Sequence, residues 1–252
     1  MTAVYGTDTL PDVEIRVDRH YEGPPGTTNG GWACGLVAGL LTGPETSPGA
    51  AVEVTLRAPV PLETPIRGER HGDSAFLTGP PDDNGTGSFL AQARLLDDDE
   101  TAALPPPPAF VPLADARRAG APDACIPTPF PTCYVCGTDR PGGLRITVGP
   151  TSAGGPIAGV WSPPPTLGAL QPRYVWAALD CPTGLVHVTD HAPMALLGRL
   201  TMTAHQPPAP GEPLVIVAAA TGAERRKRFS TAALYTEAGT LVAKSAATWI
   251  TI

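Results

Sequence analysis

Charge is scarce in this sequence. Only 16% of its 252 residues are Asp, Glu, Lys or Arg, and the balance is acidic, with a net charge of -7. Binding nucleic acid through its phosphates takes a basic face, so no nucleic-acid partner is expected, although a local cluster of cations could still hold a small anion. Long apolar runs are missing too. The longest, near Trp32 to Leu41, spans ten residues, about half of a membrane-crossing helix, so no membrane partner is expected. Met1 to Arg16 carry Asp8, Asp12 and Glu14 and have no apolar core of the kind found in secretory leaders. The five cysteines are odd in number and sparse, which does not describe a disulfide framework. The expectation is a soluble, cytoplasmic protein.

What is abundant is punctuation. Gly (28) and Pro (32) cluster between apolar runs and so divide the chain into many short elements. Hydrophobic residues make up 42%, enough for a packed core. One order of elements occurs twice. Residues 1–103 offer a short strand near Val13 to Tyr21 and an uncharged helix from about Asn29 to Leu41. The strand-like segments "AAVEVTLRAPVPLETPIRGE", "SAFLTG" and "SFLAQARLLD" follow. Val52, Val54 and Leu56 alternate with period two. Residues 104–124, with four successive prolines, read as a stiff extended linker. Residues 125–252 begin with the strand-like "CYVCGTDRPGGLRITVG" and "IAGVWSP". They continue with a second uncharged helix in "QPRYVWAALDCPTG", where Pro172 suits a first helical turn, and close with three strand-like segments. A helix that is apolar on every face must be surrounded, and the simplest cover is a sheet curled around it.

The helix start "NGG" (Asn29 to Gly31) and the closing "RKRFSTAALYTEAGTLVAKSAATWI" resemble tandem (double) hot-dog proteins of the acyl-CoA thioesterase superfamily. The resemblance implies an α+β fold of two hot-dog units, each a long helix wrapped by a curved antiparallel β-sheet, forming an intramolecular pseudo-dimer. It also implies hydrolysis of an acyl-CoA or acyl-carrier thioester at one composite site. Gly30 and Gly31 would leave bare N–H groups at the positive end of a helix dipole, and the Gly31 N–H would act as an oxyanion donor. Asn29 would be the N-cap. Alternatively, the glycines only let the helix start pack tightly beneath the sheet.

Setting Asn29 against Gln171 without gaps places Ala38 opposite Asp180, so only the second helix carries an acid. Asp180 would serve as general base or nucleophile, or, in the other reading, as a cap on "CPTG". Thr183 could stand in for a polar partner, because Leu197 and Ala247 occupy positions that are polar in the family. Trp32, Tyr174 and Trp176 would line an acyl tunnel. Arg225, Arg226 and Lys227 of "ERRKR" would hold the coenzyme A phosphates or form a solvated loop; Arg140 and Arg145 are weaker candidates. Cys125, Cys133 and Cys136 are spaced C-x7-C-x2-C, which lacks the four ligands of structural zinc unless Cys181 or a histidine joins from afar. A tight turn entering a strand is the preferred reading, and neither metal nor redox cofactor is expected beyond the coenzyme A of the substrate. Three further readings concern His20 as a strand-end residue, Asp97 to Glu100 as a solvated turn, and His187 with His191 as a weak hint of dehydratase or hydratase chemistry. A non-hydrolytic acyl-thioester binding protein is the competing class, and pairing of two such pseudo-dimers stays open.

Overall fold

The computed structural model describes residues 12–42, 49–81, 83, 85–167, 171–188, 193–206, 208, 209 and 211–252. Its strands are β1 (Val13–Arg16), β2 (Ala51–Leu56), β3 (Pro65–His71), β4 (Ser74–Pro81), β5 (Gly87–Leu95), β6 (Gly149–Pro150), β7 (Ile157–Trp161), β8 (Ala195–Ala204), β9 (Leu214–Glu224), β10 (Lys227–Thr236) and β11 (Leu241–Thr251). They form one sheet in the order β1-β3-β4-β5-β2-β8-β11-β10-β9-β7-β6, and each neighbouring pair runs antiparallel. The strands of the first half stay together on one side and those of the second half on the other. A single ladder joins them, with Ala51 to Thr55 of β2 facing Thr203 to Arg199 of β8.

Period-two patterning sets which residues face the helices. In β9, Leu214, Ile216 and Ala218 enter the main core, whereas Val215 and Val217 join a smaller cluster on the opposite face. In β2, Val52 and Val54 point into the main core. That core encloses α1 (Gly30–Gly39) and α4 (Pro172–Leu185). Of the ten residues of α1, seven are buried, so a helix without charge finds the apolar surroundings it requires. Asn29 caps it, its side-chain oxygen accepting from the Trp32 N–H at 2.9 Å. Pro172 occupies the first turn of α4, and Gln171 before it makes no side-chain cap. No helix among the described residues is long and apolar enough to cross a membrane.

Four expectations are corrected. The linker is not an extended spacer throughout. After Pro105–Pro108 it forms α3 (Leu113–Ala119), whose fully buried Ala116 packs with Ala158, Val215, Val217 and Ala233 on the outer sheet face. Tyr235 fastens the start of this strap by donating its O–H to the Pro108 carbonyl. The segment "CYVCGTDRPGGLRITVG" is not a strand. It makes turns and isolated bonds, such as Leu144 N–H to the Tyr134 carbonyl, and only Gly149 and Pro150 pair with the sheet. Arg145 sits at φ 51°, a left-handed conformation that ends an extended run. Asp97 to Glu100 are not a bare turn. Asp97 and Glu100 form a reciprocal capping box that starts α2 (Asp98–Ala102). Strand β1 ends at Arg16, and His20 lies in a short 3-10 turn (Arg19–Tyr21) against the rings of Tyr21 and Tyr134.

Candidate active site

The tip of α1 meets α4 at Asp180. The Gly31 N–H donates to Asp180 Oδ2 at 2.8 Å, and the Asn29 side-chain amide donates to the same oxygen at 2.9 Å. Asn29 therefore does two jobs, because its oxygen caps its own helix while its nitrogen holds the acid. The carboxylate sits at the positive end of the α1 dipole, the favourable end for an anion. Asp180 is 2% exposed, and Oδ1 is buried without a hydrogen-bond partner among the described residues. Burial pushes the carboxyl up to about 7, against the opposing pull of the Gly31 N–H; proximity to Cys133 raises it further, and the Asn29 amide lowers it. One oxygen is thus anchored and the other is free.

The glycines also answer to packing. A Cβ on Gly31 would stand 2.4 Å from Asp180 Cβ, 2.6 Å from the Trp176 carbonyl oxygen and 2.9 Å from Ala177 Cα. One on Gly35 would stand 2.7 Å from Arg173 Cα. Gly31 faces Trp176, Ala177 and Asp180, while Gly35, one turn on, faces Arg173, so α1 and α4 run antiparallel along a glycine seam. The packing reading of the glycine pair is present in the geometry. The Gly31 N–H is engaged by Asp180, so the donor left at the helix tip is that of Gly30.

Gly30, Asn29 and Asp180 line a cavity of about 320 Å³ together with Cys133, Cys181, Leu197 and Trp249. Leu56, Val60, Leu196 and Ile250 add apolar wall. Other residues singled out in the sequence lie elsewhere. Trp32, Tyr174 and Trp176 do not line this cavity. Trp32 is stacked on Tyr21 at 3.7 Å between centroids, edge-on to Tyr174, and the Arg173 guanidinium lies over its ring. Trp176 is buried against α1. Thr183 does not line the cavity either. Its hydroxyl donates to the Asp180 carbonyl at 2.6 Å and accepts from Trp249 Nε1 at 2.9 Å, while its carbonyl accepts from Ser230 Oγ. It fastens α4 to β10 and β11.

Arg225 and Arg226 form the β9–β10 turn, with Arg225 at φ 51°, and Lys227 opens β10 opposite Glu224. Arg226 Nε donates to the Thr251 carbonyl at 2.8 Å; Ile250 and Ile252, on either side of Thr251, line the cavity. The basic turn therefore adjoins the rim. Arg140 is committed to an ion pair with Glu22 and to the Thr132 carbonyl. His191 lies outside the described residues.

Three of the cysteines come together in the fold. Cys133, Cys136 and Cys181 are all buried, with their three sulfurs within 4.8 Å of one another, whereas Cys125 is half-buried and outside the group. The C-x-x-C spacing was visible and Cys181, 48 residues after Cys133, was named as a distant partner, but its place beside the pair, with Cys125 left out, was not. Cys133 ionises first among them, since its thiol is drawn well below the ordinary range by hydrogen bonds from Cys136 and Cys181.

No family model and no curated protein matches the sequence. Solved structures are similar in shape. A protein of Thermobifida fusca assigned as a thioesterase II superposes with a TM-score of 0.60 at 16% identity, over 96% of this chain and 92% of that one. A thioesterase by assignment from Novosphingobium aromaticivorans gives 0.61 at 14%, over 96% and 95%. The GphF dehydratase, in a variant made for crystallization, gives 0.59 at 15%, over 100% and 96%. A hot-dog protein of unknown function from Alicyclobacillus acidocaldarius gives 0.56 at 14%, over 99% and 95%. Identities this low speak to architecture, and on that ground this chain has the hot-dog fold that thioesterases and dehydratases share.

Proposed function

We propose that the chain is a double hot-dog pseudo-dimer that hydrolyses acyl thioesters, of coenzyme A or of an acyl carrier, at one composite site between its halves. The observation that carries this reading is the arrangement of Asp180. Oδ2 is fixed by donors from the first half, Oδ1 is buried without a partner among the described residues, and Asp180 lines a largely apolar cavity. A carboxylate so held is a positioned general base. Oδ1 takes a proton from a water molecule, and the oxygen attacks the thioester carbonyl carbon. The tetrahedral oxyanion is met by the Gly30 N–H at the helix tip. Collapse breaks the carbon–sulfur bond, and the thiolate leaves with the proton that Asp180 took up. Thioester and water give carboxylic acid and thiol.

Free-thiol release over a panel of acyl-CoAs tests this, with Asp180→Asn alongside. Release by the parent protein and its loss in the variant are expected. Undiminished release by the variant removes Asp180 from the mechanism. A second reading is favoured by Leu197, which packs against Gly30 where the family has a polar residue. This is a protein that binds acyl thioesters without cleaving them, and it would show ligand binding with no thiol released. Hydration of an enoyl thioester would instead change enoyl absorbance without free thiol.

A further inference from the structure

The three buried cysteines have the makings of a metal site. Cys133 and Cys181 bring their sulfurs to 3.7 Å. Four ligands at about 2.3 Å in a tetrahedron around zinc lie about 3.8 Å from one another, so this edge is already at the length a bound ion would impose. Cys136 completes a triangle in which no pair exceeds 4.8 Å. Donors surround the sulfurs as they surround metal thiolates. The Asn29 amide points at Cys181 Sγ (3.7 Å) and Cys133 Sγ (3.9 Å), and the Thr128 hydroxyl lies 3.1 Å from Cys136 Sγ.

His187 is the candidate for a fourth ligand. His187 shares with Cys136 and Cys181 a second cavity of about 270 Å³. Its Nε2 is shielded from solvent and has no hydrogen-bond partner among the described residues. Its ring stands outside the group formed by the three sulfurs, so the imidazole would reach an ion there by turning toward Cys136 and Cys181, whose cavity it shares.

We propose that Cys133, Cys136, Cys181 and His187 bind one zinc ion, which ties the irregular segment after Pro131 to the C-terminal part of α4 beside Asp180. A closed Cys3His set is structural and supplies no open coordination position for chemistry. It also accounts for the folding of that segment, which has turns and isolated bonds where a strand would have a ladder.

The full chain, stripped with a chelator under a non-thiol reductant, is titrated with Zn2+ in competition with a chromophoric chelator, and separately with Co2+. The expected results are one ion per chain bound at nanomolar affinity or tighter, a thiolate-to-cobalt charge-transfer band with tetrahedral d–d absorption, and a rise in Tm with zinc. Cys181→Ser and Cys136→Ser should each weaken zinc binding by at least about a hundredfold, Cys125→Ser should bind as the parent does, and His187→Ala should alter the cobalt spectrum. Absence of stoichiometric uptake, a cobalt complex without thiolate charge transfer, or full affinity in Cys181→Ser overturns the site. An unchanged cobalt spectrum in His187→Ala overturns the fourth ligand. The wild-type spectrum and Tm stand on their own if a cysteine variant fails to fold.

Discussion

Replacing Gly31 by alanine adds one methyl group at the closest approach of α1 and α4. The new Cβ would have to occupy a point 2.6 Å from the Trp176 carbonyl oxygen and 2.9 Å from Ala177 Cα, against ordinary separations of about 3.5–4.0 Å between carbon atoms. These are main-chain atoms, so no rotamer change relieves the clash and the helices must part by about 1 Å. Overpacking of this kind costs about 1–3 kcal/mol. The same movement stretches the 2.8 Å bond from the Gly31 N–H to Asp180 beyond useful length, and a buried charged acceptor that loses a donor costs about 1–3 kcal/mol more. The better helix propensity of alanine returns at most about 1 kcal/mol. The net expectation is a loss of about 2–4 kcal/mol, a large part of a domain's stability. Gly39 supplies the control, because it is on the same helix, exposed, and a Cβ there meets nothing within 4 Å. Urea unfolding followed by circular dichroism reads both variants. Gly31→Ala should lower the midpoint while Gly39→Ala leaves it unchanged or raises it. A Gly31→Ala protein as stable as its parent, or equal losses in the two variants, would refute the glycine seam.

Asn29→Ala removes a cap and one of the two donors on Asp180. Denaturation should show a loss of about 2–3 kcal/mol, and thiol release should fall even where the protein remains folded. Changing Arg225, Arg226 and Lys227 together to alanine should raise KM for acyl-CoA substrates but leave KM for short pantetheine-like thioesters, which lack the nucleotide phosphates, unaltered; equal effects on both would place the phosphates elsewhere. In chelator-treated protein, kcat/KM should climb as pH rises through about 7 and level off above it, because only the ionised Asp180 accepts a proton. For stability the sign is reversed. The folded carboxyl holds its proton more tightly than the unfolded one at its ordinary 3.8, so the stability present below about pH 4 is lost progressively as pH rises toward about 7. Asp180→Asn should flatten both profiles.

The strands were legible where burial is one-sided. Val52 and Val54, and the alternation along β9, follow period two because one face meets the helices and the other does not. The same logic misreads residues 133–148. Leu144, Ile146 and Val148 alternate into the core, yet among the described residues no strand pairs with the chain there, and a positive φ at Arg145 interrupts it. At the site, an acid in the second helix and glycines at the start of the first were visible. That they would bond each other directly was not, since a spacing of 149 residues carries no register. The Gly31 N–H therefore looked like a free donor in the sequence and is occupied in the fold. The aromatic residues of the two helices looked like tunnel lining and are packing instead, because Tyr21, supplied by a different element, stacks on Trp32.

Where two helices touch through glycine, their spacing is set by main-chain atoms, which have no alternative rotamers. Asp180 takes its position from that contact, so the acid is located by two backbones and not by the settling of neighbouring side chains. A bulky ligand cannot gain room by pressing the helices apart without unseating the carboxylate. Accommodation of different acyl groups must therefore come from the opposite wall, where Leu196, Leu197, Trp249 and Ile250 stand on strand ends. Variation in substrate preference among chains built this way should accumulate in those four positions while the seam stays unchanged.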